Sequence, residues 1–176
     1  QVDQMKAALK SFALPRWLSH LFIFGPKDYR AHENLATIMF TSGSTGEPKG
    51  FMLTHENITS NLEGLYQVFN IQSKDVMLGI LPFFHSFGFT GTLWFPLLSG
   101  IGAVYHFNPL DAKVVGKLVK EHQASILMAT PTFLSSYLRR CEPEQFKSLR
   151  MVTVGAEKLK ENLANEFKEK FGVIPM

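Results

Sequence analysis

Residues Ala36 to Gly50, "ATIMFTSGSTGEPKG", join a short apolar run to a turn built almost wholly from serine, threonine, glycine, proline and one lysine. Ala36–Phe40 reads as a strand. An ordinary surface turn rarely strings hydroxyls between glycines and then adds Pro-Lys-Gly. Glycine permits positive φ and close approach of backbone to a guest. Successive backbone amides beside hydroxyls cradle an anion that carries several oxygens. Lys49 supplies a mobile positive charge, so the expected guest is a phosphate. A Walker A loop needs Gly before the lysine and Ser or Thr after it; Pro48 and Gly50 occupy those places. The dinucleotide fingerprint fails at Thr45, where a second Gly belongs, and no Gly-x-Ser-x-Gly elbow is present.

Outward from this turn, apolar runs alternate with helical patterns. Residues 1–10 read as the end of a helix. A helix is predicted over 56–69 with Thr54 as its N-cap. "VMLGIL" (76–81) reads as a strand, 86–98 as a helix and "GAVYH" (102–106) as a strand. Residues 111–122 form an amphipathic helix, with Val114, Val115, Leu118 and Val119 on one face and Asp111 in its first turn. "SILMA" (125–129) is a strand, and the helix over 131–140 opens on Pro131. "RMVTV" (150–154) is a strand. A helix over 158–171 spaces Leu163, Phe167 and Phe171 four apart, and "VIPM" begins another strand.

This alternation predicts the α/β class, a largely parallel β-sheet flanked by helices, in one domain. Ligands in such sheets bind beyond the carboxyl ends of the strands. Four distinctive loops are expected there: the quoted turn, "PFFHSFG" after 76–81, "TPTF" after 125–129 and "GAEKL" after 150–154.

Composition narrows the function classes. With 45% hydrophobic and 19% charged residues in 176, the chain reads as globular, with a feasible core. A net charge of +3, scattered along the chain, does not predict a nucleic-acid partner. The lone Cys141 excludes an internal disulfide and lacks metal-ligand spacing, so it reads as a plain free thiol. From Val76 to Leu110 no Asp, Glu, Lys or Arg occurs, but Pro82, Pro96 and several glycines interrupt the run. A buried strand–helix–strand is expected there rather than a membrane span. His106 lacks a site context and is expected to be structural.

Taken in order, "TSGSTGEPKG", "LPFFHSFG" and "VGAEKL" resemble the phosphate loop, aromatic-His signature and Gly-Ala segment of the adenylate-forming (AMP-binding) superfamily. The resemblance covers about residues 36–176. "LPFFHSFG", "GAEKLKE" and "FNPLDAKVVGKLV" are further similar to the acyl-[acyl-carrier-protein] synthetase part of 2-acylglycerophosphoethanolamine acyltransferases, and to long-chain fatty acid ligases. It implies Mg-ATP-dependent activation of a carboxylate to an acyl-adenylate, then acyl transfer.

By that resemblance Thr41, Ser42, Gly43, Ser44, Thr45 and Gly46 hold the β- and γ-phosphates of ATP, and Lys49 assists the departing pyrophosphate. His85 lies where the acyl group meets the α-phosphate. Gly155, Ala156 and Glu157 line the adenine and acyl region. Phe84, Pro131, Thr132 and Phe133 wall the acyl pocket. Phe83, Phe84, Phe87, Phe89, Trp94 and Phe133 suit either a fatty-acyl tunnel or an aromatic core. The expected partners are a fatty acid and an acyl carrier protein, coenzyme A or a lysophospholipid. The expected location is cytoplasmic, or the cytoplasmic face of the inner membrane through other parts of the parent.

The resemblance also implies that residues 1–176 are the central part of a larger N-terminal domain. The magnesium ligand, the ribose-binding aspartate and a lid domain with its adenylation lysine are expected beyond Met176, leaving this stretch alone inactive. Two other classes remain open. One is a non-catalytic nucleotide- or acyl-binding relic. The other is an unrelated phosphate-loop NTPase, disfavoured because "VMLGIL" ends in Pro82 where a metal-binding Asp would be needed.

Overall fold

A computed structural model describes residues 33–42 and 48–176. The strand expected at 36–40 forms as Leu35–Ser42 (β1), but not within the main sheet. It pairs antiparallel with Pro48–Thr54 (β2), with Phe40 opposite Gly50 and Ile38 opposite Met52. The quoted stretch therefore leaves an antiparallel strand and not the carboxyl end of a parallel one. The sequence reading missed this because "PKGFMLT" carries a Pro and a Gly, which mask its strand character.

The chain passes straight from β2 into helix His55–Val68 (α1). Thr54 caps it as expected: its hydroxyl accepts from Asn57 N at 3.1 Å, and Asn57 Oδ1 accepts from Thr54 N at 3.0 Å. This reciprocal pair satisfies two backbone donors.

Four strands then build the main sheet: Val76–Gly79 (β3), Gly102–Tyr105 (β4), Ile126–Ala129 (β5) and Met151–Val154 (β6). Their order is β4-β3-β5-β6 and every pairing is parallel. Pro175 adds a single parallel bridge to Val152, at the place where another strand was expected. The connecting helices are Phe95–Ser99 (α2), Ala112–His122 (α3) and Pro131–Arg140 (α4), with Glu161–Phe171 (α5) after β6. The helix expected from residue 158 starts only at Glu161.

Side-chain alternation along the strands sends consecutive residues to opposite faces. Leu78, Leu127, Ala129 and Val152 pack with α3, α4 and α5. Met77, Ile126, Met128 and Met151 pack with α1 and α2. Both faces are thus covered, which explains the near-continuous apolar strands.

The helix expected over 86–98 is more complex. Gly88–Trp94 is π-helical before α2 begins, and the Phe95 amide donates to Thr90 O, five residues back. Thr92 Oγ1 donates to Gly88 O at 2.7 Å, giving that carbonyl a side-chain partner. Wide turns of this kind recur at functional sites. Gly88 is required by close approach, since a Cβ there would lie 2.2 Å from Pro82 O. Gly88→Ala is expected to destabilise the chain by about 1–3 kcal/mol, read from the urea midpoint, because backbone must move.

At the amino edge of the sheet a buried carboxylate ties three strands together. Asp75 Oδ1 accepts from Ser125 Oγ at 2.7 Å and Arg150 Nε at 2.8 Å. Its Oδ2 accepts from Gln72 N at 2.8 Å and is also bonded by Arg150 Nη2. The Arg150 guanidinium holds the Asp75 carboxyl down at about 2.

Cys141 is buried, and its thiol contacts Ala112 O at 3.1 Å. Burial pushes it up to about 11. Reaction with a disulfide reagent at pH 8 is therefore expected to be far slower in the native chain than after unfolding, followed by release of the coloured thiolate.

Candidate functional site

Three of the four expected loops leave the carboxyl ends of β3, β5 and β6 side by side. Gly155 N donates to Ala129 O at 3.2 Å, linking the last two. Ala156 turns the chain sharply with φ of 66°, a left-handed conformation that is uncommon for a residue with a Cβ. Strained residues of this kind cluster at ligand sites.

Above this edge lies a cavity of about 560 Å³. The 85–91 segment contributes His85, Ser86, Phe87, Thr90 and Gly91. The sheet contributes Met128, Thr153, Gly155 and Ala156, and α1 closes the far side with Asn57, Ile58, Asn61 and Leu65. Leu53, at the α1 end of β2, also reaches it, whereas Lys49 at the turn end of the same strand does not line it.

Two glycines keep the cavity open. A Cβ at Gly155 would lie 2.8 Å from the Phe87 ring, and one at Gly91 would lie 2.6 Å from Met128 Sδ. His85 is exposed at the mouth. Its Nδ1 accepts from Phe87 N at 3.3 Å. The neutral ring therefore carries its proton on Nε2 and presents a donor.

The expected site residues divide. His85, Gly155 and Ala156 come together on the cavity, with Phe87 from the proposed aromatic tunnel. Pro131, Thr132 and Glu157 instead line a neighbouring groove of about 520 Å³ between α4 and α5. There Thr132 Oγ1 donates to Glu157 Oε2 at 2.8 Å. Phe133 is partly buried and packs into both hydrophobic clusters. Phe84 is 83% exposed and borders neither space. Phe89 and Trp94 pack edge to face as part of the core around α1 and α2.

Gly43, Ser44, Thr45 and Gly46 lie outside the described residues, as does residues 1–10, the expected helix end. Thr41 and Ser42 end β1, and Lys49 lies exposed on β2 opposite Thr41. The Lys49 ammonium has no hydrogen-bond or ion-pair partner among the described residues. That suits a cation kept for a phosphate guest. Among the described residues no cluster of three His, Cys, Asp or Glu side chains could hold a metal ion, and no helix is long and apolar enough to cross a membrane.

Sequence reasoning did not find Asn57, Asn61, Thr90 or Thr153. The first two sit four apart on α1, a spacing that places them on one face. Thr153 was hidden in the apolar strand "RMVTV".

The fold defines the class: a parallel-sheet α/β domain with an open cavity at the carboxyl edge of its strands. The sequence matches the AMP-binding enzyme family over residues 4–176, and the chain belongs to that family. It is 30% identical over 155 residues to the p-hydroxybenzoic acid–AMP ligase FadD22 of Mycobacterium marinum, a match that covers 86% of this chain and 22% of that protein. It is 29% identical over 155 residues to the long-chain-fatty-acid–CoA ligase of Bacillus subtilis, covering 84% and 27%. The chain therefore spans about a quarter of the length of these relatives.

Among solved structures, the inhibitor-bound N-terminal domain of FACL13 from Mycobacterium tuberculosis superposes with a TM-score of 0.75 at 25% identity, over 86% of this chain and 38% of that one. O-succinylbenzoate coenzyme A synthetase from Bacillus subtilis, in complex with ATP and magnesium ion, superposes with a TM-score of 0.72 at 29% identity, over 82% and 30%.

Proposed function

We propose that residues 1–176 are the central part of the N-terminal domain of an ATP-dependent acyl-adenylating ligase. The observation that carries this reading is the meeting of His85, Gly155 and Ala156 on one cavity in a chain of the AMP-binding enzyme family.

In this reading a carboxylate oxygen attacks the α-phosphorus of ATP. A new O–P bond forms, the bond to the bridging oxygen breaks, and pyrophosphate leaves. Thr41 to Gly46 hold the β- and γ-phosphates, and Lys49 neutralises charge that grows on the departing group. His85 donates through Nε2 to an oxygen at the junction of acid and α-phosphate. Gly155 and Ala156 leave room for a flat ring, and Glu157 fixes the loop beside them through Thr132. Phe87, which lines the cavity, shapes the approach of the acid. A nucleophile then attacks the acyl carbon, and AMP departs with the oxygen that linked them.

The acid has an apolar body, as a long-chain fatty acid does; the name of the Bacillus subtilis relative supports this. The acceptor is the thiol of an acyl carrier protein or of coenzyme A, or a lysophospholipid, as in acyl-[acyl-carrier-protein] synthetases fused to an acyltransferase. Magnesium accompanies ATP. The parent works in the cytoplasm or against the inner membrane.

A panel of carboxylic acids in ATP–pyrophosphate exchange tests the reading on the longer enzyme. Exchange that depends on an added acid supports it. ATP hydrolysis to ADP, indifferent to any acid, would sink it.

A further inference from the structure

We infer that Asn61 of α1 donates a hydrogen bond to the carboxylate of the bound acid, from the wall of the cavity opposite His85. The inference rests on the acid-activating reading given above and adds a substrate contact to it.

Asn57 and Asn61 lie four apart on α1, and both line the cavity beside Ile58 and Leu65. Both asparagines are exposed, so a guest can reach them. Asn57 is half engaged: its Oδ1 accepts from Thr54 N at 3.0 Å in the helix cap. The Asn61 carboxamide has no hydrogen-bond partner among the described residues. Asparagine inside a helix is unfavourable, because its side chain competes for backbone groups. Its polar neighbours on α1 find local work. Thr59 Oγ1 donates to His55 O at 3.0 Å, and Asn57 completes the cap. Asn61, in the middle of the helix, makes no such bond.

The cavity supplies a use for it. The side chains of Ile58, Phe69 and Met128 line the space at 5%, 8% and 1% exposed and offer only carbon and sulfur. A carboxylate held against such walls needs donors. Its two oxygens carry about four acceptor sites. His85 brings one donor, its Nε2–H, from the 85–91 segment. The Asn61 NH₂ brings another from the α1 side. A donor placed there favours an acid over an alcohol of the same length.

The test compares octanoate with 1-octanol, two guests of one length that differ in the carboxylate. Asn61→Ala shortens an exposed side chain and adds no apolar contact. The octanoate-to-octanol affinity ratio of the full chain is expected to fall about tenfold in this variant, the scale of one hydrogen bond to a charged group. Octanoate carries the fall, and octanol affinity stays unchanged. In chain labelled with ¹⁵N-asparagine, the side-chain amide resonance missing from Asn61→Ala belongs to Asn61. Octanoate is expected to move its proton downfield, and octanol to leave it in place.

An unchanged ratio, a fall caused by tighter octanol, or an Asn61 amide that ignores bound octanoate would overturn the inference and leave the acid-activating reading intact. If octanoate does not bind at all, both fall. If Asn61 responds to octanoate but the longer enzyme shows no acid-dependent ATP–pyrophosphate exchange, the contact stands and the adenylation reading falls.

Discussion

Asp75→Ala is expected to lower the unfolding free energy by about 3–5 kcal/mol. Asp75 is 1% exposed and precedes β3, while Ser125 precedes β5 and Arg150 precedes β6. Its two oxygens accept from Arg150, Ser125 and the Gln72 amide. Removing the carboxylate strands all these donors at once, and Arg150 keeps only its bond to Asn70 O at 2.7 Å. Urea unfolding with an unchanged slope measures the loss. A loss under about 1 kcal/mol would place Asp75 among ordinary surface pairs instead.

The same carboxylate predicts an acid transition. Its native value of about 2 lies below the ordinary carboxylate value of 3.8. The ionised form is therefore favoured in the folded chain, and its stabilisation is complete above the unfolded value. As pH falls through 3.8 toward 2, that contribution, about 2 kcal/mol, is lost. The alanine variant removes more because it also leaves the donors unpaired.

Local chemistry made much of this fold legible. Thr54 and Pro131 mark helix starts by capping and by fixed φ, and each does so in the structure, while Asp111, expected inside the first turn, is instead the N-cap of α3. The apolar runs at 76–81, 125–129 and 150–154 each yield a parallel strand, because burial on both faces leaves no alternation to confuse. What the sequence hid is non-local. Asp75 and Arg150 are 75 residues apart, and no pattern joins them. The pairing of β1 with β2 depends on a partner strand that reads as a turn. Thr92 bonding back to Gly88 helps make a π-helical turn where the apolar pattern reads as an ordinary helix. At the site, His85, Gly155 and Ala156 stood out through the resemblance of "LPFFHSFG" and "VGAEKL" to family signatures. Asn57, Asn61 and Thr153 become site residues only when α1 and β6 meet across the cavity.

Lys49→Ala in the longer enzyme is expected to slow acid-dependent ATP–pyrophosphate exchange on the order of 10²- to 10³-fold. The ammonium is exposed and has no partner among the described residues, so its removal disturbs no contact among them. The stability of the variant should therefore match the parent within about 0.5 kcal/mol. A lysine that meets charge mainly as pyrophosphate departs affects kcat more than KM for the acid. A drop confined to KM would make Lys49 a binding contact that ground state and transition state share.

The most direct measurement of the central claim uses an acid labelled with ¹⁸O in its carboxylate. If the acid oxygen attacks the α-phosphorus, transfer of the acyl group to its acceptor must leave one labelled oxygen on AMP. Mass spectrometry of AMP after a single turnover is expected to show that single label. Label found instead in inorganic phosphate alongside ADP, or AMP carrying none, would contradict adenylation at this site.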